Sequence, residues 1–379
     1  MNGFENIVIF SENNKGKSRI NISGFEFHLI ISINWKSRIS AFFKKEFYHE
    51  LNYLNKKGKL NISTFRTAWY SMSKALSIAQ QLESTIEIDK AIFYSYWLDE
   101  KAIALALLKK KYQNLKAISR AHGWDVYDER HPNLYLPYRQ LLLDRLDSVF
   151  TISNNGKDYL TSKYPGKTRN LKLSRLGTIP LQEIPQKRNC ECYQIISISS
   201  IIPLKRVDKI LNLISSIKSI NKVHWTHIGD GPDFEKIKKI ALEKSKMNSN
   251  FSFKMVGQLP NSELRDLLTN EYFDLFLNLS ETEGIPVTIM EAQSAGIPVL
   301  ATNVGGTSEI VNNHNGFLVE KDFNFQSALT IIGNFLSSDE TKKQQKRNAS
   351  FENWRQYYNA ISNYGQFVEI LTKLKSHSS

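Results

Sequence analysis

Apolar positions along this chain fall in short runs divided by longer stretches of mixed polarity, the pattern of strands alternating with helices. The runs at 91–97, 116–119, 148–153 and 171–176 predict strands. The stretches opening at Asp99-Glu100, near Leu136 and after Asn154-Asn155-Gly156 predict the helices between them. A second series follows, with strands over 194–200, 224–228, 251–256, 275–279 and 299–302 and helices over 207–220, 234–246 and 262–268. Alternation of this kind predicts α/β domains built on parallel sheets. Residues 178–192 hold two prolines and no clear period, so they read as a linker. The expected organisation is a first α/β domain over 1–177, a second over 193–349 and a helical tail over 350–379. At the start, residues 6–11 predict a strand and 25–31 a strand or helix start. From Trp35 to about Glu83 the chain reads as helical, mixing Trp35, Phe42, Phe43, Phe47 and Tyr48 with Lys44, Lys45, Lys56, Lys57 and Lys59. Such a mixture suits a basic amphipathic surface on lipid, and equally a helix pair covering a sheet.

The run from Leu275 to Thr302 predicts one strand–loop–helix–strand unit. Pro286 opens its helix, where a missing N–H costs nothing, and Gly296 with Pro298 ends it. Ligands of parallel sheets sit at the carboxyl ends of the strands. That end carries Glu283 and Gly284 in the loop, and Glu291 eight positions further on in the helix. Gly284 lets a ligand approach the backbone, and the N–H groups of Ile285, Val287 and Thr288 favour a phosphate. Carboxylates beside a phosphate need other work, and accepting sugar hydroxyls is such work. A nucleotide sugar has the matching parts: sugar hydroxyls, a diphosphate and a ribose diol.

Composition changes the picture in one respect. Hydrophobic content of 41% and charged content of 23% describe an ordinary globular chain. The net charge of +13 is lopsided: 28 of the 50 Lys/Arg but 16 of the 37 Asp/Glu lie in residues 1–180. A basic half suits an anionic membrane surface, an anionic acceptor or simply solvent. Nucleic acid is disfavoured because no recognisable binding module accompanies the charge. No apolar run spans a membrane and no secretory pattern opens the sequence, so a cytoplasmic protein is expected, peripheral on the inner membrane face at most. Cys190 and Cys192 are too few for a disulfide framework or zinc site. No Asp-x-Asp, Walker or dinucleotide pattern is present, and no metal is expected.

Two further places offer chemistry. Lys205-Arg206 follows a strand and opens a helix, where adjacent cations can neutralise a diphosphate. His122, just past a strand end and before Gly123, is available to a site. His224 and His227 lie within a strand and read as packing residues.

From Ile195 to Val319 the sequence resembles the C-terminal domain of GT-B glycosyltransferases, specifically glycosyltransferase family 4. The likeness rests on Lys205-Arg206-Val207-Asp208, Ile228-Gly229-Asp230-Gly231-Pro232, Val256-Gly257 and the Glu283/Glu291 spacing. It continues through Ala301, Gly305-Gly306, Glu309-Ile310-Val311 and Asn315-Gly316-Phe317-Leu318-Val319. Arg120-Ala121-His122-Gly123-Trp124-Asp125 and the aromatic tail resemble bacterial members that build capsular, exopolysaccharide or lipopolysaccharide chains. The resemblance implies two Rossmann-like domains facing across a cleft, with the tail helix crossing back to the first. It implies that Glu283 contacts the donor sugar's hydroxyls, Glu291 the ribose, and Lys205, with Arg206 as a weaker candidate, the diphosphate. His122 would face the donor sugar, and Gly284, Ile285, Pro286 and Val287 would line the donor. It also implies retention of anomeric configuration and no metal. Ser200 stands where many members carry arginine, so the phosphate clamp is expected to rest on Lys205. The family's first strand and glycine-rich loop have no counterpart, and the chain is expected to start at the second strand.

The function this supports is a retaining transferase, moving a sugar from a UDP- or GDP-linked donor to a lipid-linked or growing polysaccharide acceptor. The alternative is a non-catalytic nucleotide-sugar-binding or partner subunit; an enzyme acting on nucleotide sugars without transfer ranks third.

Overall fold

The computed structural model describes residues 7–12, 25–30, 32–88, 91–186, 192–217 and 221–376. Residues 187–191 of the expected linker, Cys190 among them, and residues 218–220 of a predicted helix lie outside the described residues. The chain divides into two compact units, 1–174 with 366–379, and 175–365.

In the first unit, strands β1 (Ile7–Ser11) and β2 (Phe25–Leu29) pair in parallel. The stretch after them, expected to be helical from Trp35 to about Glu83, is three helices, Trp35–Ala41, Lys45–Lys56 and Ile62–Thr85. Asn34 caps the first of these through Ser37 N–H, and Asn61 forms a reciprocal capping box with Thr64 at the third. These caps are why the chain re-nucleates instead of running on. Four parallel strands follow in the order β3 (Ile92–Ser95), β4 (Lys116–Ala121), β5 (Ser148–Thr151) and β6 (Leu171–Leu173). Helices Glu100–Lys111, Arg139–Arg145 and Asn154–Lys163 make the crossovers. Phe47, Leu54, Met72, Ile103, Leu142 and Val149 are buried together in its core.

The second unit is a six-stranded parallel sheet. Its strands are β7 (Cys192–Ile198), β8 (Lys222–Ile228), β9 (Phe251–Gly257), β10 (Leu275–Asn278), β11 (Val299–Thr302) and β12 (Gly316–Val319). They lie in the order β12-β11-β10-β7-β8-β9. From β7 the chain adds strands on one side, then returns to place β10 on the other. The boundary between β7 and β10 is therefore a topological switch point, the place where open α/β sheets bind ligands. Trp225, Phe276, Leu277, Leu300 and Ile332 are essentially buried in this unit.

The boundaries differ from those expected at 177, 192 and 350: residues 175–192 and 350–365 belong to the second unit. The reason is visible in the tail. Helix Glu340–Tyr357 is tied into the second unit by Arg347, whose guanidinium donates to the carbonyls of Phe273 (2.6 Å) and Ala295 (3.2 Å). Ser350 donates to Ile297 O (2.7 Å) and Trp354 Nε1 to Thr178 Oγ1 (2.8 Å). The expected single tail helix then breaks, because Thr178 N donates to Tyr358 O (2.9 Å) and Ala360 N to Thr178 O (3.0 Å). Those backbone groups are spent on a strand-like bridge and cannot continue the ladder. The last helix, Ala360–Ser376, reaches the first unit from Gln366 onward, where Phe367 packs on Ile118 and Phe150.

Candidate donor site

The site residues of the second unit come from the two loops at the switch point. After β7 a single 3-10 turn, Pro203–Lys205, ends at Arg206 in the left-handed region (φ 51°), and helix Val207–Ser215 starts there. That reversal points adjacent side chains in different directions. Lys205 Nζ lies 2.5 Å from Glu283 Oε1, in the loop after β10. Arg206 is buried: its Nε donates to Glu281 Oε1 (3.0 Å) and one terminal nitrogen to Lys321 O (2.6 Å). Glu281 N–H in turn donates to Leu204 O (2.9 Å). Of the expected cation pair, Lys205 thus meets the carboxylate expected to bind the sugar, while Arg206 braces the two loops against each other. Glu281, overlooked in the sequence, is the partner that holds it.

Glu283 is almost fully buried and also accepts from Asn278 Nδ2 at 3.4 Å. Its loop is anchored on both sides. Thr302 Oγ1 donates to Ser280 O (2.6 Å), and Gly306 N–H to Gly284 O (2.7 Å). Gly306 has no room for a side chain, since a Cβ there would stand 2.5 Å from Gly284 O and 2.8 Å from Ile285 Cγ1. The Gly305-Gly306 pair in the sequence was the signal for this close approach. On the other side of β7, a Cβ at Gly229 (φ 139°) would stand 1.9 Å from Ser199 O, so the turn after β8 also closes tightly on the loop leaving β7.

Ile285 is buried beneath the loop, and Pro286 precedes helix Val287–Ser294 in extended conformation. The first ladder donors are Ile289 and Met290, both onto Pro286 O. The N–H groups of Val287 and Thr288 have no hydrogen-bond acceptor among the described residues, and Val287 is exposed. They present donors and the positive end of the helix to a ligand. Glu291 lies inside the same helix. Burial pushes its carboxyl up to about 7, with Arg265 the opposing influence. Its carboxylate has no hydrogen-bond or ion-pair partner among the described residues. It is therefore an acceptor, paid in desolvation, that a diol can satisfy. Three of the expected groups, Lys205, Glu283 and the helix opening at Pro286, belong to one loop pair.

His227 does not join them. Its Nδ1 meets Ser197 Oγ at 2.8 Å beside Trp225, and burial pushes it down to about 4. His224 meets Ser252 Oγ at 2.8 Å. His227 is a buried packing residue, as expected, whereas His224 is half-buried and makes its hydrogen bond at the surface.

His122 belongs to the first unit, directly after β4. It is buried between the rings of Tyr96 (4.6 Å) and Trp97 (4.3 Å). Nδ1 stands 3.8 Å from Asp125 Oδ2, beyond hydrogen-bond length, and neither ring nitrogen has a hydrogen-bond partner among the described residues. Asp125 accepts from the N–H groups of Leu98 (2.8 Å) and His122 (2.6 Å). Burial pushes its carboxyl up, but the His122 ring, the Leu98 N–H and Arg139 outweigh it and hold it below the ordinary value. Tyr96, Trp97 and Asp125 are the neighbours that the sequence did not single out for His122. Among the described residues, no three His, Cys, Asp or Glu side chains are grouped to hold a metal ion.

Residues 182–350 match the family model described as glycosyl transferases group 1. The O-antigen biosynthesis glycosyltransferase WbnH of Escherichia coli is 25% identical over 213 residues, 55% of this chain and 57% of that protein. The chain thus spans little more than half the length of this curated relative. Among solved structures, a glycosyltransferase from Rickettsia africae aligns with a TM-score of 0.69 at 18% identity, covering 97% of this chain and 90% of that one. The Anabaena protein HepE, in complex with UDP and glucose, aligns with a TM-score of 0.62 at 14% identity, covering 98% and 100%. The structural likenesses show a shared α/β fold with parallel sheets, that of GT-B glycosyltransferases. The family match covers the loops that carry Lys205 and Glu283 and the helix that carries Glu291, and over residues 182–350 the chain is similar to the glycosyl transferases group 1 family.

Proposed function

We propose that the chain is a retaining glycosyltransferase, acting at the cytoplasmic membrane face to move a sugar from a UDP- or GDP-linked donor to a lipid-linked or growing cell-surface polysaccharide. The observation that carries this reading is the meeting of Lys205 and Glu283, at 2.5 Å, across the switch point beside the open N-terminus at Val287. A diphosphate entering there takes the ammonium of Lys205 and the free N–H groups of Val287 and Thr288. Glu283, released from Lys205, accepts hydroxyls of the sugar, and Glu291 accepts the ribose diol. Gly284 and Pro286 shape the backbone under the donor. His122 is the first unit's candidate for contact with the transferred sugar.

Transfer forms a bond from the acceptor oxygen to the anomeric carbon as the bond to the diphosphate oxygen breaks. The acceptor proton leaves with the departing phosphate on the same face, through an oxocarbenium-like state. Lys205 and the helix end stabilise the charge that grows on the diphosphate, so no metal is required of the reaction. Support for the donor class comes from the UDP and glucose bound by HepE, and for the acceptor class from the O-antigen role named for WbnH.

The test is a screen of UDP- and GDP-sugars by calorimetry beside nucleotide release, with and without lipid-linked saccharides. Acceptor-dependent release is expected. Binding without release under every acceptor would replace this reading by a nucleotide-sugar-binding partner subunit, and no binding at all would end it.

A further inference from the structure

The three helices that follow β2 carry a surface the transfer reaction does not use. Their inner faces are in the core, with Phe47, Leu54 and Met72 essentially inaccessible. Their outer faces enclose a groove of about 630 Å³, walled by Phe42, Leu51, Leu60, Ile62, Phe65 and Trp69. Large apolar side chains also stand in solvent around it: Phe43 is 80% exposed, Ile62 74% and Trp35 67%. A contiguous apolar area of this kind marks an interaction site.

The charges around the groove identify the partner. Between Trp35 and Thr67 the sequence has eight Lys/Arg and two carboxylates, Glu46 and Glu50. Both carboxylates are buried. Glu46 is paired with Lys110 at 2.8 Å, and Glu50 accepts from Tyr135 Oη (2.7 Å) and Tyr138 N–H (2.8 Å). No carboxylate of this segment faces solvent, whereas Lys36, Arg38, Lys45, Lys56, Lys57 and Arg66 do. A segment that is apolar at its groove and whose own exposed charges are all cationic fits an anionic amphiphile, hydrocarbon for the groove and phosphate for the cations, with Glu129 near Lys59 the carboxylate that another element brings close. A folded protein partner would be expected to find charges of both signs, and a nucleic acid would leave the groove unused.

We propose that this face docks on an anionic lipid bilayer, with Trp35, Phe43 and Ile62 entering the interface and a lipid acyl chain occupying the groove. Among the described residues no helix is long and apolar enough to cross a membrane, so the attachment is interfacial. The proposal deepens the acceptor side of the reading above by placing the contact on particular residues. Its test needs no nucleotide sugar, so the two can fail separately.

Flotation of the full chain with phosphatidylcholine vesicles, with and without phosphatidylglycerol, tests it. Binding is expected only to the anionic vesicles and is expected to fall with salt. Each cation near such a surface contributes about fivefold, so the triple change Lys45→Gln, Lys56→Gln, Lys57→Gln should lower partition about a hundredfold. The triple change Trp35→Ser, Phe43→Ser, Ile62→Ser leaves the charge unaltered and should lower it at least about tenfold. All six positions are exposed, so the variants should melt as the parent does. Lipids brominated along the acyl chain should quench tryptophan emission, and Trp35→Phe should remove much of that quenching. Failure to bind anionic vesicles, or equal binding to neutral ones, overturns the proposal. So does insensitivity to the charge triple or to the apolar triple.

Discussion

Glu291→Gln separates a ribose-binding role from a structural one, because the two act with opposite sign. Burial raises the Glu291 carboxyl from 4.5 to about 7. A shift of that size corresponds to about 3 kcal/mol between the two protonation states. Below pH 4.5 the group is protonated in the folded and unfolded chain alike and contributes nothing. As pH rises through the window from 4.5 to about 7, the unfolded chain ionises first and the fold loses up to about 3 kcal/mol. Glutamine carries no charge to desolvate. The variant should therefore equal the parent near pH 4 and exceed it in stability by up to about 3 kcal/mol near pH 8, read by urea denaturation. Donor binding should move the other way. The diol donates to the ionised carboxylate, so the parent's affinity should fall about tenfold per pH unit below pH 7, about a hundredfold near pH 5. Calorimetry with an intact nucleotide sugar measures this, since its diphosphate is diesterified and does not titrate there. The variant should bind about ten- to a hundredfold more weakly near pH 8, the value of a hydrogen bond to a charged group, and show no such pH dependence. An affinity flat in pH and equal in both proteins would refute the reasoning, even if the stability gain appeared.

Two other substitutions bear on how the site is held. Gly306→Ala places a methyl against Gly284 O and Ile285, neither of which can withdraw without moving the loop; a loss of about 1–3 kcal/mol in urea denaturation is expected, together with weaker donor binding by calorimetry. His122→Asn should lower turnover about a hundredfold, the effect of one lost preorganised group, with the far-ultraviolet dichroism unchanged; undiminished turnover would remove His122 from the site.

The parallel sheets were legible because each strand is a short apolar run bounded by turn residues, and each crossover a stretch of helical period. The loop at Glu283 was legible for a similar reason: Gly284, Pro286 and Gly296 act locally, and the spacing to Glu291 is fixed by one helix. What the sequence withheld is non-local. Nothing near residue 275 says that β10 pairs with β7, yet that pairing brings Glu283 to Lys205. Arg206 read as a weaker second candidate for the diphosphate; its left-handed backbone turns it to Glu281 and Lys321 O instead. The tail helix breaks at Asn359 because of Thr178, far away along the chain. The amphipathic mixture after Trp35 was ambiguous because the stretch has both a core face and an exposed apolar face: Phe47 went to the core, while Phe43 stayed in solvent.

The proposed donor site stands or falls on whether the loop pair after β7 and β10 holds the donor's diphosphate through Lys205. Calorimetric titration of Lys205→Ala against the parent, with the nucleotide sugar selected by the screen, tests it most directly. The variant removes one charge-assisted contact worth about 1.5–3 kcal/mol, so binding about ten- to a hundredfold weaker is predicted. Binding as tight as the parent's would contradict the account.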